Sequence, residues 1–238
     1  MNPAPRIVAL ATDYDETLAA EGSMAGPTVA ALERLQASGR KLILVTGREL
    51  EDLLRVCPEI ALFDCVVAEN GAVLYLPGSQ TTRSLASSPP ARLLQMLRQR
   101  AVRPLSVGHS IVATVHDQYE IVRATIRELR LAEEIIFNRD ALMILPAGIS
   151  KGTGLEAALG ELCLPPEGVV GIGDAENDEP FLKLCEISVA VNNALPSIKE
   201  TANIVTNGER GDGVIEIIDA ILDGRIEALS GRETFQQE

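Results

Sequence analysis

Residues 6–17 read "RIVALATDYDET", a short strand-forming run that ends in three closely spaced acids. The run "RIVALA" (6–11) is apolar after its first residue and stops at polar residues, as a buried parallel strand does. Asp13 and Asp15 stand two positions apart and Glu16 follows directly, so their charges would repel one another unless a positive group lies beside them. The stretch therefore predicts a buried strand whose carboxyl end carries a charged site.

The alternation of short apolar strands and helices continues on both sides of a different middle segment. Further strands are predicted at 41–47, 65–76 (two strands around an Asn-Gly turn), 168–173, 187–191 and 203–206. Helices are predicted at 26–39, 48–57, 150–162, 179–185, 195–202 and 213–222. This order predicts an α/β fold, a Rossmann-like parallel sheet core with helices on both faces.

The middle of the chain breaks this pattern. Residues 77–90 are rich in Pro, Ser, Thr and Gly, which predicts a linker or surface loop. Helices follow at 91–102 and 118–131, with strand-like residues at 110–116 and two strands at 133–148 around a turn at 138–140. We interpret this block as an inserted α+β cap domain. The predicted division is a discontinuous core (1–77 and 149–225), a cap (78–148) and a C-terminal tail (226–238).

Composition narrows the possible partners. The chain has 238 residues and a net charge of −13, which argues against nucleic acid and anionic membranes as partners but not against a small phosphorylated metabolite. The N-terminal residues do not resemble a signal peptide, no apolar run is long enough for a membrane helix, and the four cysteines form no zinc pattern. We therefore expect a cytoplasmic protein, either a monomer or a homodimer.

Polar side chains follow four predicted strands at the points where they end. They are Asp13 and Asp15 after the first strand, Thr46, Gly47 and Arg48 after the second, Glu69 and Asn70 after the third, and Asp174, Asn177 and Asp178 after the strand at 168–173. The carboxyl ends of parallel strands form one edge of a sheet, and ligands bind there. We therefore expect these residues to meet at a single site.

The residue types at this edge are suited to a metal ion and a phosphate. Carboxylates gathered together repel, and Mg²⁺, which prefers a few carboxylates, waters and substrate phosphate, would relieve the repulsion. Lys151 follows Ser150, a suitable N-cap, in the first turn of a predicted helix, so its ammonium and the helix N-terminus would face the same anion. Positioning and charge neutralisation of this kind are what phosphoryl transfer needs.

Four motifs resemble, in order and spacing, those of the haloacid-dehalogenase-like (HAD) phosphatases. They are "DYDET" (13–17), "LVTGR" (44–48), "ISKGTGL" (149–155) and "GIGDAENDEPF" (171–181). The insertion between "AENGA" (68–72) and Lys151 looks like the type IIB, or Cof-like, cap, and its small size is similar to that of phosphoglycolate and sugar-phosphate phosphatases. The resemblance implies hydrolysis of a small phosphomonoester with Mg²⁺ as cofactor.

The resemblance also implies a role for each matching residue. Asp13 would attack phosphorus and form an aspartyl-phosphate, while Asp15 would protonate the leaving oxygen and then activate water. The remaining roles are phosphate binding by Thr46, Gly47, Lys151 and Asn177, metal binding by Asp13, Asp15 (through its carbonyl), Asp174 and Asp178, and a position at the junction of core and cap for Arg48, Glu69 and Asn70.

Several alternatives stay open at this stage. A phosphomannomutase-like phosphosugar mutase shares the motifs, and a non-catalytic phospholigand-binding protein is a rival of another class. Arg48 could instead pair with a nearby acid such as Glu51 or Asp52, and His109 and His116 could be ordinary surface histidines. The family usually has glycine where Glu16 stands, so we expect the Glu16 side chain to turn away from the phosphate, toward the cap hinge or an arginine.

Overall fold

The structure is a computed structural model that describes residues 7–229. The strands are Ala9–Thr12 (β1), Ala19–Ala20 (β2), Ser23–Met24 (β3), Lys41–Val45 (β4), Cys65–Ala68 (β5), Val73–Leu76 (β6), Thr81–Ser84 (β7), Ser106–Val107 (β8), Val112–Val115 (β9), Glu133–Asn138 (β10), Ala141–Pro146 (β11), Val169–Gly173 (β12), Ile187–Ala190 (β13) and Ile204–Val205 (β14). The helices are Gly26–Ala37 (α1), Leu50–Val56 (α2), Ala91–Gln99 (α3), Tyr119–Glu128 (α4), Lys151–Glu161 (α5), Glu179–Leu184 (α6), Pro196–Thr201 (α7), Arg210–Leu222 (α8) and Ile226–Leu229 (α9).

The large sheet has the strand order β14-β13-β12-β1-β4-β5-β6-β7. Strands β14 to β5 pair in parallel, whereas β6 and β7 are antiparallel additions at one edge. Every residue of β1, β5 and β12 is buried, which explains why these strands are continuous apolar runs instead of alternating ones. The predicted α/β fold with a Rossmann-like parallel sheet flanked by helices is confirmed.

A small antiparallel sheet with the order β10-β11-β9-β8 forms a second layer of the molecule. Helices α3 and α4 cover it through their own apolar cluster, which includes Leu93, Leu97, Val122 and Ile126 against Leu142 of β11. The predicted pair of strands around residues 138–140 is therefore present, and the middle block is an α+β unit. Within residues 7–229, no helix has both the length and the apolar character needed to cross a membrane.

The prediction of a loop over residues 77–90 is wrong for Thr81–Ser84, which form the edge strand β7. All four side chains are exposed, so the strand has no apolar alternation by which it could be recognised. It extends the large sheet although it lies inside the predicted cap range, 78–148. The division into core and cap stays a prediction. Of the predicted tail, 226–238, helix α9 is seen and residues 230–238 lie outside the described residues, as does the start of the strand predicted at 6–11.

Candidate active site

The four polar loops meet at the carboxyl edge of the large sheet. Strand β1 lies between β12 and β4, with β5 next in line. The Asp13 amide donates to the Ile172 carbonyl at 2.9 Å, and the Asn70 amide donates to the Thr46 carbonyl at 3.0 Å. The Asn177 side-chain amide donates to the Asn70 side-chain oxygen at 3.0 Å, which joins the β12 and β5 loops. The sheet order thus brings together residues that are distant in sequence.

Helix α5 begins at this edge and carries Lys151 in its first turn. Ser150 is the N-cap, as predicted: its hydroxyl accepts from the Thr153 amide at 3.3 Å, and the Thr153 hydroxyl accepts from the Ser150 amide at 3.0 Å. Gly71 allows the close approach of this helix to the end of β5. Its φ is +108°, and a Cβ there would lie 1.9 Å from the Ser150 carbonyl oxygen.

Lys151 forms a buried ionic network with two acids. Its Nζ lies 2.5 Å from Asp13 Oδ1 and also pairs with Asp178 Oδ1, and its side chain is 1% exposed. The helix N-terminus disfavours a cation at this position, so the two carboxylates must hold it there. Burial lowers the pKa of Lys151, but the charges of Asp13 and Asp178 outweigh burial and raise the net pKa. The lysine is therefore a permanent positive charge beside Asp13.

Asp13, Asp174 and Asp178 form a cluster of buried carboxylates whose oxygens lie within 4.8 Å of one another. Asp178 Oδ2 accepts from the backbone amides of Asp174, at 2.7 Å, and Ala175, at 2.9 Å. Burial raises the pKa of Asp13 well above its ordinary value, although the Lys151 charge opposes it. Burial, with the charge of Asp178, raises the pKa of Asp174 to about 6. The three carboxylates outnumber the two cations that pair with them, Lys151 and Arg139.

The cluster fits a hard divalent cation. Three carboxylates face one buried lysine, and hard oxygen donors are the ligands that Mg²⁺ prefers. The Asp15 carboxylate is not a member of the cluster, so the metal role predicted for Asp15 depends on its backbone carbonyl. The predicted site thus divides: three of its acids converge, and the fourth points elsewhere.

Asp15 lies in a second, more exposed network with Arg48. The Arg48 guanidinium donates from Nε to Asp15 Oδ2 and from Nη2 to Asp15 Oδ1, both at 2.7 Å, and from Nη1 to Asp52 Oδ2 at 2.5 Å. The pairing of Arg48 with Asp52, one of the two readings that the sequence left open, is therefore present. The side chain of Asp15 is 37% exposed, against 6% for that of Asp13.

The residues predicted to bind phosphate lie beside this pair. Thr46 is buried, and its hydroxyl accepts from the Arg48 amide at 3.1 Å. A Cβ on Gly47 would lie 3.5 Å from the Asn177 side-chain nitrogen, so this amide rests on the glycine backbone. Among the described residues, the Asn70 side-chain nitrogen and the Asn177 side-chain oxygen are buried without a hydrogen-bond partner. A bound ligand could satisfy such atoms.

Glu69 joins the large sheet to the segment that precedes β9. It is fully buried, and its two carboxylate oxygens accept from the backbone amides of His109 at 2.9 Å, Ser110 at 2.8 Å and Ile111 at 3.1 Å. Glu69 therefore connects the large sheet to the segment before β9, and a junction of core and cap at this position stays a prediction. A cavity of about 490 Å³ opens nearby, lined by Arg48, Ile111 and others.

Glu16 turns away from the acid cluster, as predicted. Its Oε2 accepts from Arg210 Nε at 2.9 Å, and its backbone carbonyl accepts from the Asn193 side chain at 2.8 Å. The φ of Glu16 is 61°, in the left-handed region. The backbone conformation explains why glycine is the usual residue at this position.

The two histidines have ordinary partners. His109 Nε2 lies 2.7 Å from Glu51 Oε1, and this hydrogen bond raises the pKa of His109. The ring of His116 packs against Phe137, with a centroid distance of 5.1 Å. Neither contact involves the acid cluster.

Two residues that contact Asp174 were not predicted. The Thr17 hydroxyl donates to Asp174 Oδ1 at 3.1 Å, and Arg139 donates to Asp174 Oδ2 from Nη2 at 2.5 Å and from Nε at 3.1 Å. Thr17 lies within the quoted acidic stretch, so its position was a usable signal. Arg139 stands in the turn between β10 and β11, and nothing in the local sequence points to Asp174.

Phosphoryl transfer needs positive groups and hydrogen-bond donors beside a nucleophile, and the edge of this sheet carries side chains of these kinds. This combination of fold and residues is the one expected of an α/β enzyme of phosphoryl transfer.

The chain belongs to the haloacid dehalogenase-like hydrolase family, whose model matches residues 10–128 and 111–218. It is 32% identical to phosphoglycolate phosphatase 2 of Saccharolobus solfataricus over 91% of this chain and 93% of the relative. It is 29% identical to phosphoglycolate phosphatase of Haloarcula marismortui, over 88% of this chain and 95% of the relative. The family and these relatives show that the protein is a phosphatase.

The fold is also similar to that of solved HAD structures. A sugar phosphatase of subclass IIB superposes with a TM-score of 0.72 at 18% identity, covering 92% of this chain and 99% of that one. The predicted resemblance to HAD phosphatases with a Cof-like cap is confirmed.

Proposed function

We propose that this phosphatase uses Mg²⁺ to hydrolyse a small phosphomonoester, of the phosphoglycolate or sugar-phosphate kind, through an aspartyl-phosphate on Asp13. The observation that carries the proposal is the buried pair of Asp13 and Lys151 beside Asp174 and Asp178. The names of the curated relatives support the phosphoglycolate type of substrate. The partner is thus a small metabolite, and the middle block, residues 78–148 as predicted, acts as the cap.

Asp13 is the proposed nucleophile. One of its carboxylate oxygens attacks phosphorus as the bond from phosphorus to the ester oxygen breaks, which leaves the phosphoryl group on Asp13. Lys151 restrains the Asp13 carboxylate from 2.5 Å and offers its charge to the phosphate oxygens. When bound by Asp13, Asp174, Asp178 and the Asp15 carbonyl, Mg²⁺ would supply further positive charge to the transferring group.

Asp15 is the proposed general acid, and later the general base. It gives a proton to the leaving oxygen and then takes one from the water that attacks the aspartyl-phosphate. The Arg48 guanidinium donates a hydrogen bond to each oxygen of Asp15, so both oxygens are already occupied as acceptors. Asp15 must therefore leave Arg48, or loosen from it, before it can carry a proton to the leaving group.

Thr46, Gly47 and Asn177 are proposed to hold the phosphate. The Thr46 hydroxyl and the Gly47 amide can donate to phosphate oxygens. The buried Asn177 orients the neighbouring Asn70, whose side-chain nitrogen is a donor without a partner among the described residues. Donors that are fixed before the substrate binds need no rearrangement during the reaction.

A phosphate-release screen tests this function. The purified chain is assayed with phosphoglycolate, sugar phosphates, nucleotides and phosphoamino acids, with Mg²⁺, with EDTA, and with EDTA followed by excess Mg²⁺. We expect steady release of phosphate that EDTA abolishes and Mg²⁺ restores. Release that depends on a sugar bisphosphate activator would indicate a mutase, and no release from any compound would indicate a ligand-binding protein.

A further inference from the structure

We propose that Arg139 selects the substrate and pairs with Asp174 only until a divalent cation binds there. When the cation binds Asp174, the Arg139 guanidinium leaves it and pairs with a carboxylate at the end of the substrate opposite the phosphate. The inference rests on the proposed function, which it deepens by naming the substrate class as phosphorylated carboxylic acids.

Arg139 reaches the acid cluster from the other sheet. It stands in the turn between β10 and β11, with a φ of 52°, and its backbone amide donates to Glu176 Oε2 at 3.2 Å. Its Nη2 donates to Asp174 Oδ2 at 2.5 Å and to the Asn193 carbonyl at 3.2 Å. The turn between β10 and β11 thus contacts the loop after β12 through both the side chain and the backbone amide of Arg139.

Arg139 occupies the position beside Asp174 that a divalent metal ion would take. Asp174 is 2% exposed, with one oxygen on Thr17 and the other on Arg139. A dication bound at Asp174 Oδ2 would lie where the Arg139 guanidinium now donates its two hydrogen bonds, and two cations beside one oxygen repel each other. Arg139 and a metal ion therefore compete for Asp174.

Arg139 differs from the other two arginines described at this edge because the carboxylate that it pairs with belongs to the acid cluster. Arg48 is held by Asp15 and Asp52, and Arg210 is held by Glu16. The Asp15, Asp52 and Glu16 carboxylates do not belong to the cluster, so a metal ion bound there would not displace Arg48 or Arg210 from them. Arg139, with a side chain that is 36% exposed, would lose the carboxylate to which it donates hydrogen bonds.

The released guanidinium would lie beside the leaving group of the substrate. Asp174 lies in the same cluster as Asp13, so the Arg139 guanidinium that it binds is close to any phosphate attached to Asp13. Strand β11, at one end of the turn that carries Arg139, also approaches the phosphate loop, because a Cβ on Gly47 would lie 3.4 Å from the Met143 sulfur. A planar guanidinium binds a carboxylate through two parallel hydrogen bonds, a match that a hydroxyl does not offer.

The first test measures metal binding alone. Mn²⁺ is titrated into metal-free wild type, Arg139→Gln and the control Arg123→Gln, and free Mn²⁺ is followed by electron paramagnetic resonance. Arg123 is also an arginine of the middle block, but it is exposed and pairs with Glu120 at 3.8 Å on α4. We expect Arg139→Gln to bind Mn²⁺ roughly fivefold more tightly than wild type, because an ion pair no longer competes, and Arg123→Gln to match wild type.

The second test measures selectivity without turnover. With saturating Mn²⁺, calorimetry compares 3-phosphonopropionate with propylphosphonate, which has a methyl group in place of the carboxylate. We expect wild type and Arg123→Gln to prefer the carboxylate by roughly tenfold or more, and Arg139→Gln to lose that preference.

Unchanged Mn²⁺ affinity or unchanged selectivity in Arg139→Gln overturns the inference, whatever the enzyme hydrolyses. Neither readout needs catalysis, so a failure of the phosphate-release screen is separate and would overturn only the proposed function.

Discussion

Two ionic networks begin at neighbouring acids of the stretch 6–17, and they differ in burial. Asp13 pairs with Lys151 in a network from which water is nearly excluded, whereas Asp15 pairs with Arg48 in one that is about a third exposed. Charges in the first network depend on one another because each is costly to leave unpaired. Charges in the second can be solvated, so its pairs can exchange. The proposed nucleophile, Asp13, is thus held still, and the proposed proton carrier, Asp15, is free to move.

Replacing each acid by its amide would separate the two networks most strongly. Asp13→Asn removes the nucleophile, and we expect phosphate release to fall by at least roughly 10⁴-fold. Asp15→Asn removes proton transfer, with an expected loss of roughly 10²–10⁴-fold. Single-turnover assays with Mg²⁺ measure both, and far-ultraviolet circular dichroism serves as the fold control. Activity of Asp13→Asn above that of a metal-free blank would show that the nucleophile is wrongly assigned.

Removing the cation from each network tests stability. Lys151→Met leaves Asp13 and Asp178 buried without their counter-charge, and we expect it to lower the free energy of unfolding by about 3–5 kcal/mol. Arg48→Met exposes its partners to water, and we expect a loss of about 1 kcal/mol or less. Urea unfolding of the metal-free proteins gives both values. Equal losses would mean that burial does not distinguish the networks.

The pH dependence of stability should arise from the buried cluster. The pKa of Asp174 rises from 3.8 to about 6 on folding, so the folded chain keeps this proton longer than the unfolded chain does. The free energy of unfolding should therefore fall as pH rises from about 4 to about 6, by roughly 3 kcal/mol at most, and this contribution should stay lost at higher pH.

Thermal or urea unfolding of metal-free protein between pH 4 and pH 7 measures this slope. The matched control is Asp174→Asn, which cannot ionise and should show a smaller decline over the same range. Equal slopes in wild type and control would remove Asp174 as the cause.

The smallest expected effect on activity is that of replacing Glu16, the third acid of the stretch 6–17. Glu16→Gly relieves a left-handed backbone conformation but removes the ion pair with Arg210, two opposing terms of about 1 kcal/mol or less. We expect kcat/KM to stay within about threefold of wild type. Steady-state kinetics with the substrate from the screen checks this, and a total loss of turnover would place Glu16 in the catalytic machinery.

Local sequence patterns could predict much of the fold and part of the site. Fully buried strands such as β1 and β12 leave continuous apolar runs, and Ser150 leaves a capping signal, so both were recognisable. The convergence of Asp13 and Asp174 followed from their positions at the carboxyl ends of predicted parallel strands, and that of Lys151 from its place in the first turn of a predicted helix.

Contacts between distant segments could not be predicted in this way. Strand β7 has exposed polar side chains, and its existence depends on pairing with β6. The direction of the Asp15 side chain depends on Arg48, and the contact of Arg139 with Asp174 depends on how the two sheets meet. These features arise from packing between distant segments, which leaves no periodic pattern in the sequence.

The hydrogen bonds of the Glu69 carboxylate have a consequence for which amino-acid substitutions the protein can accept during evolution. It accepts hydrogen bonds from three consecutive backbone amides, at residues 109–111, and from none of their side chains. This connection between the sheets therefore depends on the path of the loop backbone. The exposed side chain of His109 can be replaced while the connection holds, whereas a Cβ at Gly108 would lie 2.7 Å from Glu69 Oε1, so that position requires glycine.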